Sequence, residues 1–159
     1  METPMLHIAG REITPHPPKM KVWRAFLAFF DADKEGLSLE DFLNEHVRLI
    51  ILGFGREEVT RESVEENVDV TDIVPLTRSL FRWIQSLTFS KLVNLPNGER
   101  GVVLSPYQNL LRYYERLQSA YGWTMYEVDS HEIGFLLDQL VVTAICEERL
   151  SERFIDDVM

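Results

Sequence analysis

The sequence predicts a mainly α-helical protein with a small N-terminal β-hairpin: a helical main domain over residues 1–96, a linker over 97–105 and a C-terminal helical hairpin over 106–159. Three observations carry that expectation. Apolar residues recur at spacings of three and four through most of the chain, as in helices that bury one face. Ser, Thr or Asp stands ahead of several of these runs, where a side-chain oxygen can satisfy the first free backbone N–H groups. The densest mixture of Pro and Gly, LPNGERGVVLSP from Leu95 to Pro106, falls between two such runs and contains an Asn-Gly pair.

The opening LHIAGREIT holds two short extended runs about Ala9-Gly10-Arg11, where glycine supplies the turn dihedral of a hairpin. TPHPPK then interrupts the pattern, since paired prolines hold the chain extended yet are tolerated where a helix begins. From Lys19, the residues Val22, Trp23, Phe26, Leu27, Phe29 and Phe30 form one helical face. The run Asp31-Ala-Asp-Lys-Glu-Gly36 is expected to close that helix with a glycine cap, and Ser38 with Asp41 to cap a second helix from about Leu39 to Leu52. Its inward face is Leu39, Phe42, Leu43, His46, Val47 and Ile50, and Gly53 and Gly55 end it. The acidic REEVTRESVEENVDVTD reads as a short surface helix capped by Thr60 or Ser63 and pinned by Val64, Val68 and Val70.

A third long helix starts at Asp69 or Thr71, carries Ile73, Leu76, Leu80, Trp83, Ile84 and Leu87 on one stripe, and has Pro75 within about its first turn. Beyond the linker, Tyr107, Leu110, Leu111, Tyr114, Leu117 and Tyr121 mark a fourth helix closed by Gly122. Thr124 and Glu127 make a capping box for a short helix to about Val128. Ser130 is expected to cap a final helix from His131 to about Leu150, with Ile133, Leu136, Leu137, Leu140, Val141 and Ala144 as its core stripe.

Charge narrows the function. Lys and Arg number 16 against 26 Asp and Glu, a net charge of −10, which argues against nucleic acid as a partner because phosphate binding rests on basic patches. Split at Pro106, the first part carries −4 and the shorter second part −6. One cysteine excludes an internal disulfide framework and fits a reducing compartment. The start METPMLHIAGREIT lacks the pattern of a secretion signal, and the apolar runs fall short of the ~20 residues of a membrane span, so no membrane partner is expected.

Chemical sites are sparse. FFDADKEGLSLEDFL looks like a calcium loop, with Asp31, Asp33, Glu35 and Gly36 in place, but the twelfth position, which should supply a bidentate carboxylate, is Phe42. The histidines His7, His16, His46 and His131 are scattered and no pair has helical metal-ligand spacing; His46 on an apolar face reads as a packed residue. Gly53-Phe54-Gly55 lacks the third glycine and lysine of a phosphate loop. Glu57-Glu58, Glu65-Glu66, Glu147-Glu148 and Asp156-Asp157 are runs of the kind that form solvated faces. Cys146 precedes two glutamates whose negative charge disfavours a reactive thiolate. No catalytic residue, metal or cofactor is assigned.

What remains is surface. The C-terminal part is dense in aromatics, but stacking platforms for single strands need a positive groove that this acidic segment lacks. Tyr114 and Tyr121 are expected inside the hairpin, with Trp123 sealing its corner. On the last helix Phe135, Val142 and Cys146 lie on a flank that a two-helix hairpin does not easily cover. With Tyr113 and Tyr126 as polar-tipped aromatics, they are the candidate partner-binding residues. The flank could equally pack on the first domain or meet a second copy in a homo-oligomer.

Two patterns together suggest a family. The order of hairpin, PPKMKVWRAFLAFF helix, acidic connector and VDVTDIVPLTRSLFRWIQSL helix resembles the N-terminal portion of the tail assembly chaperones of long-tailed bacteriophages. SPYQNLLRYYERLQSAYGWTMYEVDSHEIGFLLDQLVV resembles their C-terminal extension, a helical hairpin with a Gly-Trp corner. The resemblance implies a non-catalytic protein that binds the tape measure protein and, through the extension, recruits the major tail tube protein. It also implies action in the host cytoplasm and absence from the mature virion. A helical interaction adaptor unrelated to phage tails would carry the same patterning.

Overall fold

The structure, a computed structural model, describes residues 2–93, 105–139, 142 and 145–146, with 88–93 as backbone. It is mainly helical with a two-stranded antiparallel hairpin at the start. Strands β1 (Leu6–Ile8) and β2 (Arg11–Ile13) pair Leu6 with Ile13 and Ile8 with Arg11. Ala9 and Gly10 both have positive φ, at 51° and 76°, as a two-residue turn matched to strand twist demands. Leu6, Ile8 and Ile13 face the core while His7 and Glu12 face out, so the pleat places one apolar side against the helices.

Helix α1 (Met20–Asp31) is the central element. Met20, Val22, Trp23, Phe26, Leu27 and Phe29 are buried, which spans far more of the circumference than a surface helix covers, because α1 is packed from several sides. Its end corrects the expectation of a glycine cap. Ala32 is the C-cap in an extended conformation, and Gly36, at φ 80°, serves the following turn instead. Asp33 accepts the Glu35 N–H at 2.9 Å in that turn, so one carboxylate of the calcium-like loop holds the backbone. Among the described residues no group of three His, Cys, Asp or Glu could hold a metal ion.

Helix α2 (Leu39–Phe54) begins at Ser38, whose hydroxyl accepts the Asp41 N–H. Leu39 is 74% exposed and leaves the inward face assigned to it, since the first helical residue sits ahead of the packing contact. His46 is buried, donates Nδ1–H to the Phe42 carbonyl at 2.8 Å and meets the rings of Phe29 and Phe42. Gly53 does not end the helix. It is buried within it, where a Cβ would lie 3.2 Å from both Leu80 Cδ1 and Phe26 Cζ, so it allows three elements to close together. Gly55, left-handed at φ 59°, is the actual cap.

Helix α3 (Arg61–Asn67) is opened by a reciprocal Thr60–Ser63 capping box and anchored by Val64, while Val68 is half-buried and Val70 exposed. Helix α4 (Val70–Val93) presents Ile73, Leu80, Trp83 and Ile84 to the core, and Leu87 is exposed. Pro75 is its sixth residue, in the second turn rather than the first, so one backbone hydrogen bond is forfeited there; its exposed ring faces away from the packing. Phe81 on α4 stacks on Phe26 and Phe30 of α1, at centroid distances of 6.0 and 4.6 Å.

The assigned linker lies outside the described residues except for Ser105, which is the N-cap of α5 (Pro106–Tyr121) in a capping box with Gln108. Gly122 closes α5 in the left-handed conformation, and Thr124 with Glu127 opens α6 (Met125–Asp129). Ser130 closes α6 instead of opening the next helix, its hydroxyl donating to the Glu127 carbonyl at 2.8 Å. The last helix, α7, starts at 133 and is described over 133–139 and at 142, 145 and 146; of its expected core stripe, Leu140, Val141 and Ala144 lie outside the described residues. No helix among the described residues is long and apolar enough to cross a membrane.

The C-terminal helices lie against α1. Met20 N–H donates to the His131 carbonyl at 2.8 Å and Ile133 N–H to the Pro18 carbonyl at 3.0 Å, so the backbones at Lys19 and Glu132 form an isolated antiparallel β-bridge. Leu110, Tyr114, Leu117, Val128, Ile133, Leu136 and Leu137 thereby join the same buried cluster as α1, α2 and α4.

Candidate interaction surface

Among the described residues of α7, some apolar side chains are buried and others exposed. Ile133, Leu136 and Leu137 are fully buried. At about 100° per residue, Phe135 points away from that buried side within 133–139. Phe135 is 59% exposed and Val142 60%, and Cys146 is exposed as well. Ile145, which the sequence pattern did not single out, is also exposed. Within α7 the exposed Asp138 lies about 60° from Phe135, and the exposed Glu132 stands just before the helix starts, so acid borders this residue. Gln139, on the same side, holds a buried Oε1 without a hydrogen-bond partner among the described residues.

The two candidate tyrosines sit elsewhere. Tyr126 on α6 is 80% exposed, beside the exposed Met125. Tyr113 on α5 is half-buried against the core, and burial raises its pKa against the opposing pull of Arg112 and Arg116. Tyr121 is partly exposed and stacks on Trp123 at 4.7 Å, and Trp123 stacks in turn on His131 at 4.4 Å. The corner is therefore sealed by a three-ring column, with the His131 Nδ1–H donating to the Glu127 carbonyl.

A polar triad holds this unit to α1. Arg24 donates Nε–H to Asp129 Oδ1 at 3.0 Å and Nη2–H to Oδ2 at 2.6 Å, a two-pronged pair. The Tyr114 hydroxyl donates to Asp129 Oδ1 at 2.5 Å, and the guanidinium lies 5.9 Å from the Tyr114 ring centre. Burial, followed by the bond to Asp129, pushes the Tyr114 pKa far above the usual tyrosine range, and the same carboxylate raises that of Arg24. All three are engaged with one another, so the triad is a clasp. Its trace in the sequence is a single cation, Arg24, inside the otherwise apolar VWRAFLAFF.

No family model, curated protein or solved structure matches this chain.

Proposed function

We propose that the protein is a non-catalytic tail assembly chaperone that holds the tape measure protein and helps recruit tail tube protein, acting in the host cytoplasm and leaving before the virion is complete. The observation that supports this reading is the set of exposed apolar residues of α7, Phe135, Val142, Ile145 and Cys146, on the helix whose Ile133, Leu136 and Leu137 are fully buried. Exposed apolar helix residues bordered by acid suit the apolar face of a second helix, and the net charge of −10 would keep such a complex soluble.

The test is co-expression of the full chain with the long open reading frame encoded just downstream, scoring the partner's solubility and co-elution on a sizing column. The native chain is expected to keep the partner soluble, and Phe135→Asp with Val142→Asp to lose it. A partner equally insoluble with and without the chain would sink the reading. Neighbouring genes unrelated to tails, with a different soluble partner captured through the same residues, would give the protein to the adaptor class instead.

A further inference from the structure

A second surface of opposite character lies between α1 and α2. An open groove of about 610 Å³ runs along α1, floored by Ala25, Ala28 and Phe29 and banked on the other side by Leu52 of α2. Lys21, Arg24, Lys34 and Arg48 all reach it, in a chain whose acids outnumber its bases by ten. Of its three acidic residues two are paired with its arginines, and the third keeps its charge while holding a backbone N–H, which leaves the groove net positive. Asp33 accepts the Glu35 N–H, Glu45 accepts two hydrogen bonds from Arg48, and Asp129 is held by Arg24 and Tyr114.

The two lysines are left over. Among the described residues Lys21 and Lys34 make no ion pair; the Lys34 ammonium donates to the Ala32 carbonyl at 3.2 Å and lies 4.7 and 5.8 Å from the ring centres of Phe29 and Phe30, contacts that leave its positive charge uncompensated. Lys21 lies in the first turn of α1 and Lys34 three residues past its end, so they stand at opposite ends of the groove, roughly 15–20 Å apart along the axis. We propose that this groove docks an acidic amphipathic helix of a partner protein, its small apolar face on Ala25, Ala28 and Leu52 and two carboxylates, about three to four turns apart, on Lys21 and Lys34.

The occupant follows from size and charge together. Alanines on the floor leave room for a helix to approach closely, and Leu52 with the Phe29 ring gives its apolar face something to cover. Two lysines without acidic partners attract carboxylates and penalise a basic or neutral helix. The exposed apolar residues of α7 have acid rather than base beside them, so the proposal goes beyond the chaperone reading and does not rest on it.

The experiment titrates the full chain into fluorescein-labelled helical peptides of about 18 residues and follows anisotropy at about 50 mM salt. One peptide carries an Ala/Leu face and glutamates at the two positions; the others carry Gln or Lys there. The Glu peptide is expected to bind about tenfold more tightly than the Gln peptide, with the advantage lost at about 0.5 M salt. Lys21→Glu with Lys34→Glu should weaken it about tenfold, while Arg78→Glu with Arg82→Glu on α4, an equal change in net charge, should leave it within about twofold. If the first pair impairs folding, Lys21→Gln with Lys34→Gln removes both charges with a smaller change of side chain and should still cost about fivefold. Equal losses in both charge-reversed pairs, equal binding of the Gln peptide, or no binding would overturn the proposal. So would self-association of the chain alone that Lys21→Glu with Lys34→Glu abolishes, which would assign the groove to a second copy.

Discussion

Where α1 meets α2 and α4, the contact is made of rings: Phe26 and Phe30 on Phe81, and Phe29 against Phe42 and His46. Where the same helix meets α5 and α6, leucines and Val128 are joined by a charged clasp, Arg24–Asp129–Tyr114. The first interface draws nearly all its strength from non-directional apolar burial and close packing. The second adds a geometric requirement, since a two-pronged Arg–carboxylate pair forms in one orientation and penalises others. A clasp of this kind contributes more to where the C-terminal unit sits than to how tightly it is held. It also helps to set the orientation of α7 and of its exposed apolar residues.

The largest effect is expected on the aromatic side. Phe26→Ala removes a fully buried ring stacked on Phe81 and should cost about 3–5 kcal/mol, read as a fall in urea midpoint with little change in slope. At the clasp, Asp129→Asn removes the charge that Arg24 and the Tyr114 hydroxyl share. With the Arg24 side chain 32% exposed and Asp129 15%, part of the penalty is relieved by water, and about 2 kcal/mol is expected. The comparison sharpens if hydrogen exchange accelerates in α5 and α6 while α2 and α4 stay protected; uniform acceleration would mean that the two interfaces form one cooperative unit.

The clasp also makes stability depend on alkaline pH. The folded state holds the Tyr114 proton well above the usual tyrosine pKa of about 10, whereas the unfolded state releases it there. The contribution is therefore complete below pH ~10 and falls above it by about 1.4 kcal/mol per pH unit, and Tyr114→Phe should remove most of that slope. Denaturation series at several alkaline pH values would read it directly. The smallest effect belongs to the outer face: Phe135→Asp with Val142→Asp should shift stability by no more than about 0.5 kcal/mol, because neither side chain is buried. A large drop would show that these residues are covered in solution.

Helical periodicity read the main core well, because Phe26, Ile50, Leu80 and Ile84 recur at the period that buries one side. Local capping chemistry was equally legible at Ser38, Thr60, Thr124 and Gly122, where the interacting groups are only three or four residues apart. Errors fell where a residue's role depends on something distant. Gly53 looked like a stop, yet Leu80 and Phe26 pressing against it make it a packing site. Ser130 resembles an N-cap, but the chain bends there to bring residues 131–133 onto residues 18–20. Of the candidate surface, the flank of α7 could be found from spacing alone. The groove could not, because its cations come from two helices and a loop, and Arg24 and Asp129 are 105 residues apart in the chain.

That separation sets a timetable for synthesis. α1 emerges from the ribosome early, and with translation at about 5–20 residues per second roughly 5–20 seconds pass before Asp129 is made. For that interval the side of α1 that will receive α5 and α6 has no cover of its own, and Arg24 has no counterion. Shortening the wait, by faster decoding of the stretch before residue 106, should raise the yield of folded protein.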